Sequence, residues 1–407
     1  MNSLEQVLNW EYSHQLVENA KCLTGPGREL GHWAIDQLKV FMGERWFDDI
    51  GGKGHILLSL QWWNINDSPG VYGNLFVLAA QLLLLRNFQD FNKLKYQMRK
   101  NHDNSEWLHS LLQLEIAGNA LRYDWKCRFE PDLRDGKSTD LFIFNDERNC
   151  FFEIVTMRSS NEFQETNKNF KIVNNSLQSI CMTNGVSISG EMDRMLSEKD
   201  IDTLIYEFEK AAIEVATTNA DVIIEERGSY KIKITSQPNG DSFSGPPTST
   251  DILGRIGARI KDKAKQTGSE KNVWIYFGDY SGLWEFTLWG QLSLTDKLRF
   301  IGIQIRGILH DYPNISGLII SNGWSLGAWA SEDTVEERDD DSNIISLAIR
   351  RISQNIRSKE TIIIGRDGTV SDDLMFLAQW FYEETSWLDW AFQKIGFNYR
   401  TNELFNI

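Results

Sequence analysis

The sequence predicts an α/β protein, and three features of the 407-residue chain point there. From Leu4 to about Lys100, apolar residues recur every three or four positions, the period of helices that bury one face. After Trp125 the period shortens: "WKCRFEP", "STDLFIFN" and "NCFFEIVTM" are short, aromatic and β-branched, as strands are. Beyond residue 250, helix-like and strand-like segments alternate, with "DILGRIGARIKDKAKQ" before "NVWIYFG" and, later, "ISGLIIS".

In chain order, "ELGHWAIDQLKVFMGERW" and "GNLFVLAAQLLLLRNFQDFNKLKYQMRK" predict a helical N-terminal domain over residues 1–100. The polar break "NHDNSE" precedes a further helix, "EWLHSLLQLEIAGNALRYD", with Asn104 or Ser105 as its N-cap. "NDERN" reads as the turn of a hairpin between "STDLFIFN" and "NCFFEIVTM". A polar stretch, about 159–250, reads as an insertion into a core spanning 101–325. It holds the helix "EKDIDTLIYEFEKAAIEVATT", the strands "DVIIEE" and "YKIKITS", and the loop "SQPNGDSFSGPPTST". Residues 326–407 are expected to form a helical, Trp-rich C-terminal region, with the acidic run "SEDTVEERDDD" as a solvated loop.

Charge restricts the partners. Against 42 Lys plus Arg stand 57 Asp plus Glu, a net −15, so a polyanion would need a locally basic surface. The four cysteines form no CxxC, which fits buried thiols in a reducing compartment. The N-terminal stretch is polar, and the longest apolar run, "LFVLAAQLLLL", falls short of the roughly 20 residues of a membrane span, so a cytoplasmic protein with no membrane partner is expected. The six histidines form no HExxH or triad-like pattern.

Two motifs compete for the site. "GKST" at residues 136–139 suggests a phosphate-binding loop, yet the first glycine position is Pro131 and a strand follows where a helix is required. Gly136 is instead expected in a turn. Glu153 is the stronger signal, a carboxylate flanked by Phe152 and Ile154 in a strand apolar on both faces, where burial demands a partner. Asp140 opens the preceding strand one hairpin away, and Glu115 follows Leu108, Leu111 and Leu112 at the rim of a helix face. Three such oxygen donors converging at a sheet edge would suit a hard cation.

"LEIAGNAL", "STDLFIF", "FFEIVTM" and, after the insertion, "RIGARIKDKAKQTGSEKNVWIYF" resemble, in order and spacing, the PD-(D/E)XK or restriction-endonuclease-like nuclease superfamily. The resemblance covers about half the chain, residues 105 to about 320. It implies a restriction-endonuclease-like mixed sheet flanked by helices. It also implies Mg²⁺ or Mn²⁺ on Asp140 and Glu153 with help from Glu115, and cleavage of nucleic acid, DNA ahead of RNA. The superfamily's lysine, two residues past the Glu, is replaced here by Val155, and Thr139 stands before Asp140 where proline is usual.

Substitutes for that lysine are Lys137, Lys261 and Lys265, with Arg158 nearby, while Arg255, Arg259 and Lys263 form a four-residue row suited to phosphates. Phe376, Trp380, Trp387 and Ala391 are expected to pack in the core or at a subunit interface rather than stack on bases. The expectation is a metal-dependent endonuclease, by analogy a component of a bacterial anti-phage or mobile-element system. The alternative is an inactive nuclease-fold module that binds nucleic acid, a partner protein or a second copy of itself.

Overall fold

The computed structural model describes residues 9–50, 69–100, 104–133, 136–157, 161–236, 242–245, 252–279, 293–321, 331–352, 359–380 and 387–406. The fold is mixed α/β with two mixed sheets. The chain divides into two compact units: Met1–Arg158 with Leu253–Ile407, and Ser159–Ile252.

The larger unit begins with helices α1 (Trp10–Asn19), α2 (Gly25–Met42), α3 (Trp46–Ile50), α4 (Pro69–Leu85), α5 (Phe91–Lys100) and α6 (Asn104–Arg122). Local chemistry sets several ends. The Asn9 side chain accepts from the Tyr12 amide at the start of α1, and the Thr24 side chain from the Gly27 amide at the start of α2, which ends at Gly43 with φ 104°. Helix α4 is buried almost all round, from Tyr72 to Leu85, so it is a core helix.

Its sheet has the order β1-β2-β3-β8-β9-β12-β11-β10, where β1 is Lys126–Phe129, β2 Leu141–Phe144, β3 Asn149–Met157, β8 Val273–Asp279, β9 Ile315–Ser321, β10 Ser331–Arg338, β11 Ile344–Ile352 and β12 Lys359–Gly365. Strands β3, β8 and β9 run parallel, and both flanks are antiparallel. Strand alternation divides the faces. Phe152, Ile154, Trp274 and Tyr276 join the core that also contains Leu112 and Ile116 of α6, which leaves Glu153 and Val155 on the opposite face. Gly278 permits the close approach of α6, because a Cβ there would collide with the Leu112 side chain.

Helices α9 (Ile252–Thr267), α10 (Leu294–His310), α11 (Ser371–Gln379) and α12 (Trp387–Ile395) complete this unit. The smaller unit packs α7 (Asn161–Asn184) and α8 (Glu198–Thr218) on the sheet β5-β6-β4-β7. Its strands are β4 (Ser187–Met192), β5 (Val222–Glu226), β6 (Tyr230–Thr235) and β7 (Ser242–Ser244), and its core runs from Val173 to Ile234.

Several expectations need correction. The N-terminal helices share one hydrophobic core with the sheet, α11 and α12, so no boundary falls at residue 100. The C-terminal region is not simply helical: three of its segments extend the main sheet. "IISLAIRRI" has helix-compatible spacing, but its β-branched residues pair on both sides, with β10 and β12. The acidic run "SEDTVEERDDD" contains edge strand β10, and charge on an edge discourages further strand pairing. Trp380 is buried against Phe376 and Phe152, and the Trp387 indole donates to the Gly118 carbonyl, so these rings hold the core together. All four cysteines are buried free thiols, and burial pushes those of Cys127 and Cys150 up. Among the described residues, no helix is long and apolar enough to cross a membrane.

Candidate active site

The hairpin places Asp140 and Glu153 side by side. Leu141 pairs with Phe152, so Asp140, one residue earlier, stands opposite Glu153, one residue later. The Asp140 carboxylate is held from several sides. Its Oδ2 accepts from the Ile154 amide at 2.7 Å, its Oδ1 lies 3.3 Å from His109 Nε2, and Gln113 Nε2 donates to its backbone carbonyl at 3.0 Å. Thr139, immediately before Asp140, donates its hydroxyl to the Phe152 carbonyl at 2.9 Å and fixes the strand start.

The cation in the site is Lys263. Its Nζ lies 2.7 Å from Glu153 Oε2, 3.4 Å from Asp140 Oδ2 and 3.2 Å from Gln266 Oε1. Gln266 in turn donates to the Ser138 carbonyl at 3.1 Å, which ties α9 to the start of β2. The helix is fixed at its C-terminal end by Asn314, whose amide donates to the Ala264 and Gly268 carbonyls and to Thr267 Oγ1.

Glu153 is fully buried, and its Oε1 has no hydrogen-bond donor. The nearby Thr139 hydroxyl favours the ionised form but is committed to the Phe152 carbonyl. Burial, reinforced by the Asp140 charge and opposed by Lys263, pushes the Glu153 carboxyl up to about 7. Burial also acts on Asp140, but His109, Lys263 and the Ile154 amide outweigh it and hold that carboxyl well below the usual range. Lys263 is raised, because the two carboxylates outweigh its own desolvation.

The structure redistributes the expected roles. None of Lys137, Lys261 and Lys265 supplies the site's ammonium. Lys261 and Lys265 are exposed on α9, and Lys137 Nζ donates to the Lys265 carbonyl at 2.6 Å. Lys263 belongs to the row of Arg255 and Arg259, but a four-residue step advances about 40° around a helix, so the row winds toward the sheet. Arg259 is exposed, Arg255 half-buried, and Lys263 turns inward beside the buried Ile260 and Ala264. Arg158 lies outside the described residues.

Glu115 does not join the pair. It accepts from the Tyr276 hydroxyl at 3.0 Å, on the α6 face of the sheet, whereas Glu153 projects to the other face. Among the described residues, no three His, Cys, Asp or Glu side chains form a metal-ligating group. The histidines form no recognisable motif along the chain, yet His109 faces Asp140. His109 and Gln113 lie one helical turn apart, and that spacing was the available signal. Gly136 has φ 69° and occupies a turn before β2, as the failed phosphate-loop match suggested.

The donor set suits a hard cation: two carboxylates on adjacent strands, one with a buried oxygen that no donor reaches. No known protein family, curated protein or solved structure matches the chain.

Proposed function

We propose that the protein is a divalent-metal-dependent nuclease that hydrolyses phosphodiester bonds, with DNA as its substrate. The observation that carries this reading is the incomplete pairing of two adjacent buried carboxylates. Asp140 and Glu153 share the single ammonium of Lys263, and the buried Glu153 Oε1 has no donor. The site thus leaves a buried carboxylate oxygen without a partner, which is costly unless something binds to it.

Asp140 and Glu153 would hold Mg²⁺ or Mn²⁺, which when bound lowers the pKa of a water and offsets charge on the phosphate. The chain's own groups do the rest. His109, Gln113 and the Ile154 amide fix Asp140, and Thr139 fixes its strand. Lys263 supplies, from a helix, the ammonium that Val155 cannot, and it can stabilise negative charge building up on the phosphate. Val155 shares the Glu153 face, so a lysine on the facing helix serves the same space. Exposed Arg259, Lys261 and Lys265 give α9 a basic surface for phosphates on an acidic protein.

The direct test incubates linear DNA, supercoiled DNA and RNA with wild type or Glu153→Ala, in Mg²⁺, Mn²⁺ or chelator. Metal-dependent DNA cleavage lost in the variant is expected, with a rate drop of at least about a thousandfold. Absence of cleavage by wild type on all substrates, or equal cleavage by both proteins, would overturn the assignment; in the first case, binding of nucleic acid without cleavage would point to an inactive module.

A further inference from the structure

The proposed site already contains a cation of its own, and this inference rests on the reading that Asp140 and Glu153 also take a divalent one. The three Lys263 donors point at Glu153 Oε2, Asp140 Oδ2 and Gln266 Oε1, at 2.7, 3.4 and 3.2 Å. Two of these acceptors are carboxylate oxygens that a hard cation also needs. An ammonium and a divalent ion on one carboxylate pair repel each other strongly in a buried setting.

We propose that Lys263 is an intramolecular counter-ion that competes with the divalent cation for Asp140 and Glu153 and leaves the carboxylates when that cation binds. The helix backbone is fixed, and the ammonium sits at the end of a flexible side chain. Asn314 clamps the end of α9 through Ala264, Thr267 and Gly268. The Lys263 side chain retains 17% exposure and carries a flexible four-carbon stem, so rotamer changes can shift its charge without moving the helix. Cation arrival and release of the lysine toward the substrate phosphate are then one event. The same residue offsets carboxylate charge before the cation arrives and serves the reaction afterwards.

The test measures Mn²⁺ affinity by calorimetry on the full chain at pH 8.5 without nucleic acid, for wild type, Lys263→Met, Lys263→Arg and Gln266→Ala. Lys263→Met is expected to bind Mn²⁺ about tenfold more tightly or better, and Lys263→Arg to stay within about threefold of wild type. Gln266→Ala keeps the charge but removes one acceptor that steadies the ammonium, so a smaller gain of about two- to threefold is expected. Mn²⁺ should also raise the melting temperature of Lys263→Met by more than that of wild type. Equal or weaker Mn²⁺ binding by Lys263→Met overturns the competition and leaves the nuclease reading standing. If that variant does not fold without metal, unchanged affinity in Gln266→Ala overturns it instead. No binding by any of the proteins up to millimolar Mn²⁺ overturns both readings.

Discussion

Two buried lysine–glutamate pairs of equal length lie in the larger unit, and their carboxylates are paired to different degrees. Lys297 of α10 reaches Glu360 Oε2 at 2.7 Å, and Arg350 of β11 reaches Glu360 Oε1 at 2.7 Å, so two cations cover both oxygens of one carboxylate. Lys263 reaches Glu153 at the same 2.7 Å but must also serve Asp140, and Glu153 Oε1 has no donor. The first cluster has a cation on each oxygen of its glutamate. The second spreads one ammonium over two carboxylates, with His109 beside Asp140, and leaves an open acceptor on Glu153. A buried ion pair by itself is weak evidence for function; the open acceptor on Glu153 is what sets the second cluster apart from the first.

The same substitution in the two clusters should therefore act in opposite directions. Glu360→Gln removes the carboxylate charge that faces both Lys297 and Arg350 and should lower stability by about 3–5 kcal/mol in urea denaturation, with cleavage per folded molecule unchanged. Glu153→Gln relieves repulsion with Asp140 and should leave stability at pH 8 equal or higher. Destabilisation of similar size in both variants would erase the distinction.

A smaller effect separates the clusters by pH. The folded pKa of Glu153, about 7, lies above its ordinary value of 4.5, so the folded state holds the extra proton between those values. Stability from that proton is full below pH 4.5 and is lost as pH rises through about 7. Asp140 has the opposite sign: its depressed pKa contributes stability above the ordinary carboxylate range, lost only as pH falls through the folded value. Melting temperatures between pH 5 and 8 should fall in wild type and flatten in Glu153→Gln, while Glu360→Gln should keep the wild-type slope. An unchanged slope in Glu153→Gln would refute the raised carboxyl.

The smallest effect is expected on the outer face of α9. Lys265→Ala should change stability by no more than about 0.5 kcal/mol, and cleavage by about threefold or less with a shallower salt dependence. A loss of cleavage as deep as that of Glu153→Ala would return the lysine role to Lys265.

Asp140 and Glu153 were legible in the sequence because a hairpin is local. They lie thirteen positions apart, a turn lies between, and alternation fixes which residues stand opposite each other. The inserted unit was legible for a similar reason, since its polar composition sets it apart and Ser159–Ile252 clusters separately. The C-terminal strands were not, because the apolar spacing of "IISLAIRRI" satisfies a helix as well as a buried strand, and the pairing of β11 with β10 and β12 decides between them.

The sequence by itself determined a mixed α/β protein with two carboxylates brought together across one hairpin, for which contacts between near neighbours suffice. Only the tertiary structure decided which cation meets them. Lys263 comes from a helix beyond the inserted unit, and the winding of α9 selects it over Lys261 and Lys265. The sheet itself excluded Glu115, since alternation along β3 sends Glu153 away from α6. Which face a residue takes depends on the packing of whole elements, and no spacing along the chain carries that information.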